Sequence, residues 1–145
     1  MNHPFNIKLI PASEMSSIIP LVSLLNHGEI ARSLLEKRLK DMLLLGNYEC
    51  IGVYDKSELI GICGIWTLHK FYAGKHLEPD NVFIKESYRS KGVGKLMIDF
   101  LVQRAKEIGC DGSEVNCYLG NEKGIRFWEQ QGYKPIGYHF LLKFD

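Results

Sequence analysis

The sequence has no apolar run of membrane-spanning length, no surplus of either charge and no closely spaced cysteine pair. Each absence removes a class of function. Without about 20 consecutive apolar residues, and with no signal-peptide pattern at the start, the chain is expected in the cytoplasm with no membrane partner. Eighteen Lys and Arg against seventeen Asp and Glu leave a net charge of +1. A protein that coats nucleic acid needs a strongly basic surface, so no nucleic-acid partner is expected. The four cysteines, at 50, 63, 110 and 117, match no CxxC spacing, so no metal site is expected and the thiols read as reduced. Nothing in the 145 residues resembles a linker, a repeat or a low-complexity segment, and the length suits one domain over residues 1–145.

What is present alternates between two periodicities. Residues 5–10 alternate apolar and polar as a strand does, and Pro11 ends them. Ser13 is positioned to cap a helix running to about Leu25, with a kink or restart at Pro20. A second helix follows from about Glu29 to Leu45, with Arg32, Glu36, Lys37, Lys40 and Asp41 on its polar face, and Gly46-Asn47 stops it. Residues 48–54 and 59–68 predict a hairpin, and a strand over 76–85 should be interrupted near Pro79. Apolar residues at helical spacing from Val93 to Ile108 predict a third long helix, closed by Gly109. A strand over 113–119, a short helix capped by Asn121 and ending at Gly132, and one or two closing strands over 133–144 complete the order. The chain is thus an α/β (α+β) protein with a mixed sheet of about six to seven strands and about four helices. Its closing strands also leave room for a homodimer.

The chemistry centres on Tyr88-Arg89-Ser90-Lys91-Gly92-Val93-Gly94-Lys95, between a strand and a helix N-terminus. The first turn of a helix carries unpaired N–H groups and partial positive charge, and glycines let the backbone close around an anion. A magnesium-nucleotide loop requires GxxxxGK[ST], but Leu96 stands where the hydroxyl belongs. A dinucleotide fingerprint requires GxGxxG, but Met97 stands where the third small residue belongs.

Arg89-Ser90-Lys91-Gly92-Val93-Gly94 does match the [RQ]-x-x-G-x-[GA] loop of the GNAT superfamily of N-acetyltransferases. Asn121, followed by Ile125-Arg126-Phe127-Trp128-Glu129-Gln130-Gln131-Gly132-Tyr133, resembles that family's N-x-x-A-x-x-F-Y-x-x-x-G-F segment. The resemblance implies a GNAT-like domain whose fourth and fifth strands splay apart around acetyl-CoA. Arg89, Ser90, Lys91, Gly92, Val93, Gly94 and Lys95 would hold the pyrophosphate. Val82, Phe83 and Ile84 would pair with the pantetheine arm, and Asn121, Phe127 and Trp128 would lie along the cofactor. The implied reaction is direct acetyl transfer to a primary amine of a small molecule or peptide.

That chemistry needs alignment, a base and oxyanion support. Glu78 and Asp80 lie on the right strand to be the base, directly or through water, although a solvated strand start explains them equally well. A backbone N–H near Phe83 or Ile84 is the oxyanion donor. Trp128 departs from the family's usual tyrosine, and an indole cannot protonate a leaving thiolate. Tyr118 or Tyr133 would be the substitute donor, while the thiol itself, with a pKa near ~8.5, departs with little help. The departure also motivates an alternative, a non-catalytic acyl-CoA-binding sensor or partner-binding module. His69, His76 and His139 read as surface or strand-edge residues. Cys117 has no paired His or acid in the sequence, and Phe71, Tyr72 and Trp66 are candidates to line an acceptor pocket.

Overall fold

The computed structural model describes residues 3–144. Strand β1 (Phe5–Leu9) alternates inward Phe5, Ile7 and Leu9 with outward Asn6 and Lys8, and pairs antiparallel with β2 (Tyr48–Asp55). Between them, Ala12–Ile18 forms a 3-10 helix, α1 spans Ile19–Leu25 and α2 spans Arg32–Leu44. The expected first helix is therefore two pieces, and its start is marked by Pro11 with no side-chain cap from Ser13. Pro20 sits in the first turn of α1, where its missing N–H removes no helical hydrogen bond. Helix α2 begins later than Glu29 because Ala31 is extended. Its exposed face carries Arg32–Glu36 (3.0 Å) and Lys37–Asp41 (2.8 Å) pairs at i,i+4 spacing, while Leu35 and Leu39 are buried.

A two-residue turn at Lys56-Ser57 joins β2 to β3 (Glu58–Lys70), and Phe71-Tyr72-Ala73 joins β3 to β4 (Gly74–Ile84). The pairing along β3 and β4 is interrupted as expected, but two residues beyond Pro79. Pro79 lies opposite Ile65, whereas Gly64 pairs with Asp80 and Ile62 with Phe83, leaving Asn81 and Val82 against Cys63. Asn81 takes up the bulge with φ of 57°. Helix α3 (Val93–Glu107) crosses one face of the sheet and buries Val93, Met97, Ile98, Leu101 and Ala105. Each of the larger side chains contributes about 1.5–3 kcal/mol by leaving water. Helices α1 and α2 cover the opposite face around Tyr48, Cys50 and Ile62. After Gly109, β5 (Gly112–Ser113) pairs parallel with His76 and Leu77, and α4 (Glu122–Gln130) follows.

The sheet therefore has five strands in the order β1-β2-β3-β4-β5, not the six to seven expected. The difference is at the end of the chain. Residues 133–144 form no strand, because no partner for them exists within the described residues. Among the described residues no helix is long and apolar enough to cross a membrane.

Candidate functional site

The loop between β4 and α3 is built to present amides. A 3-10 turn at Glu86–Tyr88 reverses the chain after β4, and then Ser90 (φ 60°) and Gly92 (φ 81°) both enter the left-handed region. The first turn of the helix that follows carries N–H groups with no intrahelical acceptor, a ready site for an anion. Among the described residues, no N–H from Ser90 to Lys95 finds an acceptor, and no side chain caps the helix. The first satisfied amide is Leu96, which donates to the Gly92 carbonyl at 3.1 Å. The charged side chains, by contrast, are occupied. Arg89 Nε donates to the Ile84 carbonyl (2.9 Å) and its guanidinium lies 5.4 Å from the Phe83 ring. Lys95 pairs with Asp99 at 2.8 Å, and Lys91 lies 5.7 Å from the Tyr88 ring. The amides are thus the free donors of the loop, and the cations supply the field around them.

Gly94 ties this loop to α4. A Cβ at position 94 would stand 2.7 Å from Phe127 Cε1 and 3.0 Å from Phe127 Cζ, so any larger residue there would displace the ring. Helix α4 reaches that position through its cap, where Asn121 Oδ1 accepts the Gly124 N–H at 3.0 Å. Phe127 thus comes beside the loop, although it lies some thirty residues downstream. Trp128 is buried, edge-on between Phe127 (5.0 Å) and Tyr133 (5.2 Å).

Strands β4 and β5 separate immediately after their two-residue pairing. The last rung is the Glu114 N–H donating to the Leu77 carbonyl at 3.1 Å. Beyond it, the N–H groups of Val115 to Tyr118 have no backbone acceptor among the described residues. The splay opens toward Val82, Phe83 and Ile84, all half-buried. Glu78 lies at its mouth, accepting from Asn116 Nδ2 at 3.0 Å, and Asp80 accepts from the Trp66 indole at 3.0 Å. Partial burial pushes the Glu78 carboxyl above its ordinary range, with the nearby Glu114 and Asp80 charges adding to it and Lys70 opposing it. A carboxylate raised in this way is a better proton acceptor near neutral pH.

The same end of the splay carries a cluster that the sequence does not disclose. Glu114 accepts from Lys70 Nζ at 3.0 Å and from the Tyr72 hydroxyl, and its carboxylate lies 3.2 Å from His76 Nε2. His76, expected at a surface or strand edge, is fully buried, with Nδ1 3.0 Å from the Gly74 carbonyl. The Tyr72 hydrogen bond, reinforced by Lys70, holds the Glu114 carboxyl below its ordinary range. These residues lie 38 to 44 positions from Glu114, and only the parallel register of β4 and β5 brings them together.

The candidate proton donors fall differently. Tyr118 is 87% exposed and makes no side-chain hydrogen bond among the described residues, while the Tyr133 hydroxyl meets Ser113 Oγ at 2.7 Å. Burial raises the Cys117 thiol, the wrong direction for a nucleophile. All four cysteines are free, and no group of three or more His, Cys, Asp or Glu is gathered for a metal among the described residues.

Residues 21–133 match the family model described as Acetyltransferase (GNAT) family. A probable glucosamine 6-phosphate N-acetyltransferase of Drosophila melanogaster is 29% identical over 123 residues, which is 81% of this chain and 55% of that protein. The chain therefore spans about half the length of that relative. Among solved structures, glucosamine-6-phosphate N-acetyltransferase from Arabidopsis thaliana superposes with a TM-score of 0.74 at 20% identity, covering 99% of this chain and 100% of the other. A predicted acetyltransferase from Clostridium acetobutylicum, solved with acetyl-CoA, gives 0.78 at 15% identity over 96% of each chain. These structural likenesses concern the fold, and the family match covers most of the chain. Amide loop, splayed strands and family match agree: the chain belongs to the GNAT acetyltransferase family.

Proposed function

We propose that the chain, as one domain over residues 1–145, is an acetyl-CoA-dependent N-acetyltransferase acting on a primary amine of a small molecule or peptide. The observation that carries this is the run of six unpartnered amides, Ser90 to Lys95, at the foot of the β4–β5 splay. Six unpartnered amides plus a helix N-terminus suit a pyrophosphate, and the open side of Val82, Phe83 and Ile84 suits an amide-bearing pantetheine chain. Nothing lies within 4 Å of a Cβ built on Gly92, so the backbone there is open to an approaching group. Acetyl-CoA supplies the activated acetyl thioester. Asn121, Phe127 and Trp128, gathered on α4 and its cap, would flank it.

The residues then divide the work. Glu78 or Asp80 accepts the proton of the incoming ammonium, directly or through water, and Glu78 is favoured by its raised pKa. The freed nitrogen attacks the acetyl carbonyl carbon; a C–N bond forms, the nitrogen sheds its second proton, the C–S bond breaks, and the thiolate leaves with its electron pair and takes up one proton to become the free thiol. A β4 N–H near Phe83 or Ile84 steadies the oxyanion. Tyr118 is free to return a proton to the thiolate. The carboxylates Glu78, Asp80 and Glu114 suit the ammonium group of the acceptor, and the Drosophila relative makes an amino-sugar phosphate the first to test. The four free cysteines support a reducing, cytoplasmic setting.

The experiment is release of free thiol from acetyl-CoA across a panel of amines that includes glucosamine 6-phosphate and peptide N-termini. Acceptor-dependent thiol release is expected. Tight CoA binding without turnover on any amine would favour the sensor alternative, and no CoA binding at all would overturn the assignment of the loop.

A further inference from the structure

The transfer proposed above takes two protons from the acceptor nitrogen, one before attack and one after it. Glu78 or Asp80 accounts for the first. The cluster beside β4 and β5 holds an atom suited to the second. His76 is fully buried, and its Nδ1 lies 3.0 Å from the Gly74 carbonyl. A carbonyl only accepts, so Nδ1 carries the hydrogen and the neutral ring keeps its lone pair on Nε2. Among the described residues that Nε2 is buried without a hydrogen-bond partner. A buried polar atom left unpaired is costly and calls for a reason.

Its surroundings supply one. Side chains alternate along β4, so His76, Glu78 and Asp80 share one face, while Leu77 packs on the other against the α3 residues. The charged and titratable groups around the imidazole are Glu114 just beyond β5, Lys70 and Tyr72 from the end of β3 and its turn, and Glu78 from β4 itself. Glu114 connects the inside with the outside. Its Oε2 lies 3.2 Å from Nε2, yet its side chain is 18% exposed. Two residues on, Asn116 donates to Glu78 at 3.0 Å, so both carboxylates stand at one mouth. Tyr72 and Lys70 hold the Glu114 carboxyl below its ordinary range, so a proton that arrives there does not stay. Imidazole, which ordinarily titrates nearest neutrality, can take it over, and the carboxylate beside it offsets the new charge.

We propose that Glu114 and His76 act in series as the acceptor of the second proton, Glu114 meeting the acceptor nitrogen and His76 serving as the positioning residue behind it. The inference rests on the acetyl-transfer reading and adds where that proton goes. After the C–N bond forms, an N–H bond breaks and the proton passes to Glu114. The nitrogen keeps the electron pair, which becomes part of the amide. From Oε2 the proton crosses 3.2 Å to Nε2; the imidazole becomes imidazolium and the carboxylate is restored. Once the product has left, the proton returns through Glu114 to solvent.

The test is thiol release by the full chain with the amine of the panel that the wild type turns over fastest. His76→Asn keeps an N–H for the Gly74 carbonyl and removes Nε2. It should lower kcat about 10²-fold at neutral pH with KM for acetyl-CoA unchanged, and the loss should shrink in alkaline solution, where hydroxide takes the proton instead. Glu114→Gln should behave alike. The double variant should be no slower than the slower single one, as expected of groups that act as a unit. Additive losses, or losses of equal size at every pH, would point to packing and overturn the relay. If His76→Asn does not fold, nitrogen NMR of the wild type decides. Its solvent-protected imidazole should carry the hydrogen on Nδ1 in alkaline solution, and a hydrogen on Nε2 there would overturn the relay. Wild-type turnover with unchanged variants would overturn the relay alone, whereas no turnover on any amine would overturn the acetyl-transfer reading and the relay with it.

Discussion

Gly94→Ala is the sharpest probe of how the loop is held. The added methyl would sit 2.7 Å from Phe127 Cε1, where ordinary contact begins at 3.4 Å, so the ring must retreat by at least about 0.7 Å. Position 94 is helical and buried, and alanine is otherwise favoured there by up to about 1 kcal/mol over glycine. Any destabilisation is therefore attributable to the clash. Overpacking of this kind costs about 1–3 kcal/mol, which at this chain length is a fall in Tm of roughly 3–10 °C. Phe127→Leu shortens the side chain that is struck. In a double-mutant cycle read by thermal unfolding, Phe127→Leu should recover about 1–2 kcal/mol of the Gly94→Ala loss. Calorimetric titration with CoA should follow the same order, with Gly94→Ala weakening binding about tenfold and the double variant regaining part of it. Unchanged stability in Gly94→Ala, or strictly additive losses in the double variant, would refute the packing of α4 on the loop.

Glu78→Gln should lower kcat by about 10²–10⁴ if Glu78 is the base. Because burial raises its pKa, wild-type kcat/KM should decline on acidification at a pH above the ordinary carboxylate range, and that step should vanish in Glu78→Gln. A retained step would move the role to Asp80. Glu114→Gln should lower Tm at neutral pH by roughly 2–4 °C, since it weakens the acceptor for Lys70 and Tyr72 beside the buried His76. The folded-state pKa of Glu114 is depressed, so its contribution is present above the unfolded carboxylate value and lost as pH falls through the folded one. The two melting curves should accordingly converge in acid, and a constant gap would sink that account.

Much of this protein is local and therefore legible along the chain. The period of the apolar residues announces β1, α2 and α3, and Gly109 and Gly132 stop helices with φ of 76° and 95°. Asn121 caps α4 as its residue type predicts, and Gly92 adopts the left-handed geometry that a closing loop requires. The element order, the anion loop and the family resemblance need nothing beyond neighbours a few residues apart. Register and pairing do. The bulge at Asn81 rather than at Pro79, the burial of His76 and the gathering of Lys70, Tyr72 and Glu78 around β5 depend on which strand lies beside which. The last segment shows the limit most clearly. Residues 136–144 have the composition of a strand, but a strand exists only where another edge accepts its hydrogen bonds, and among the described residues none does.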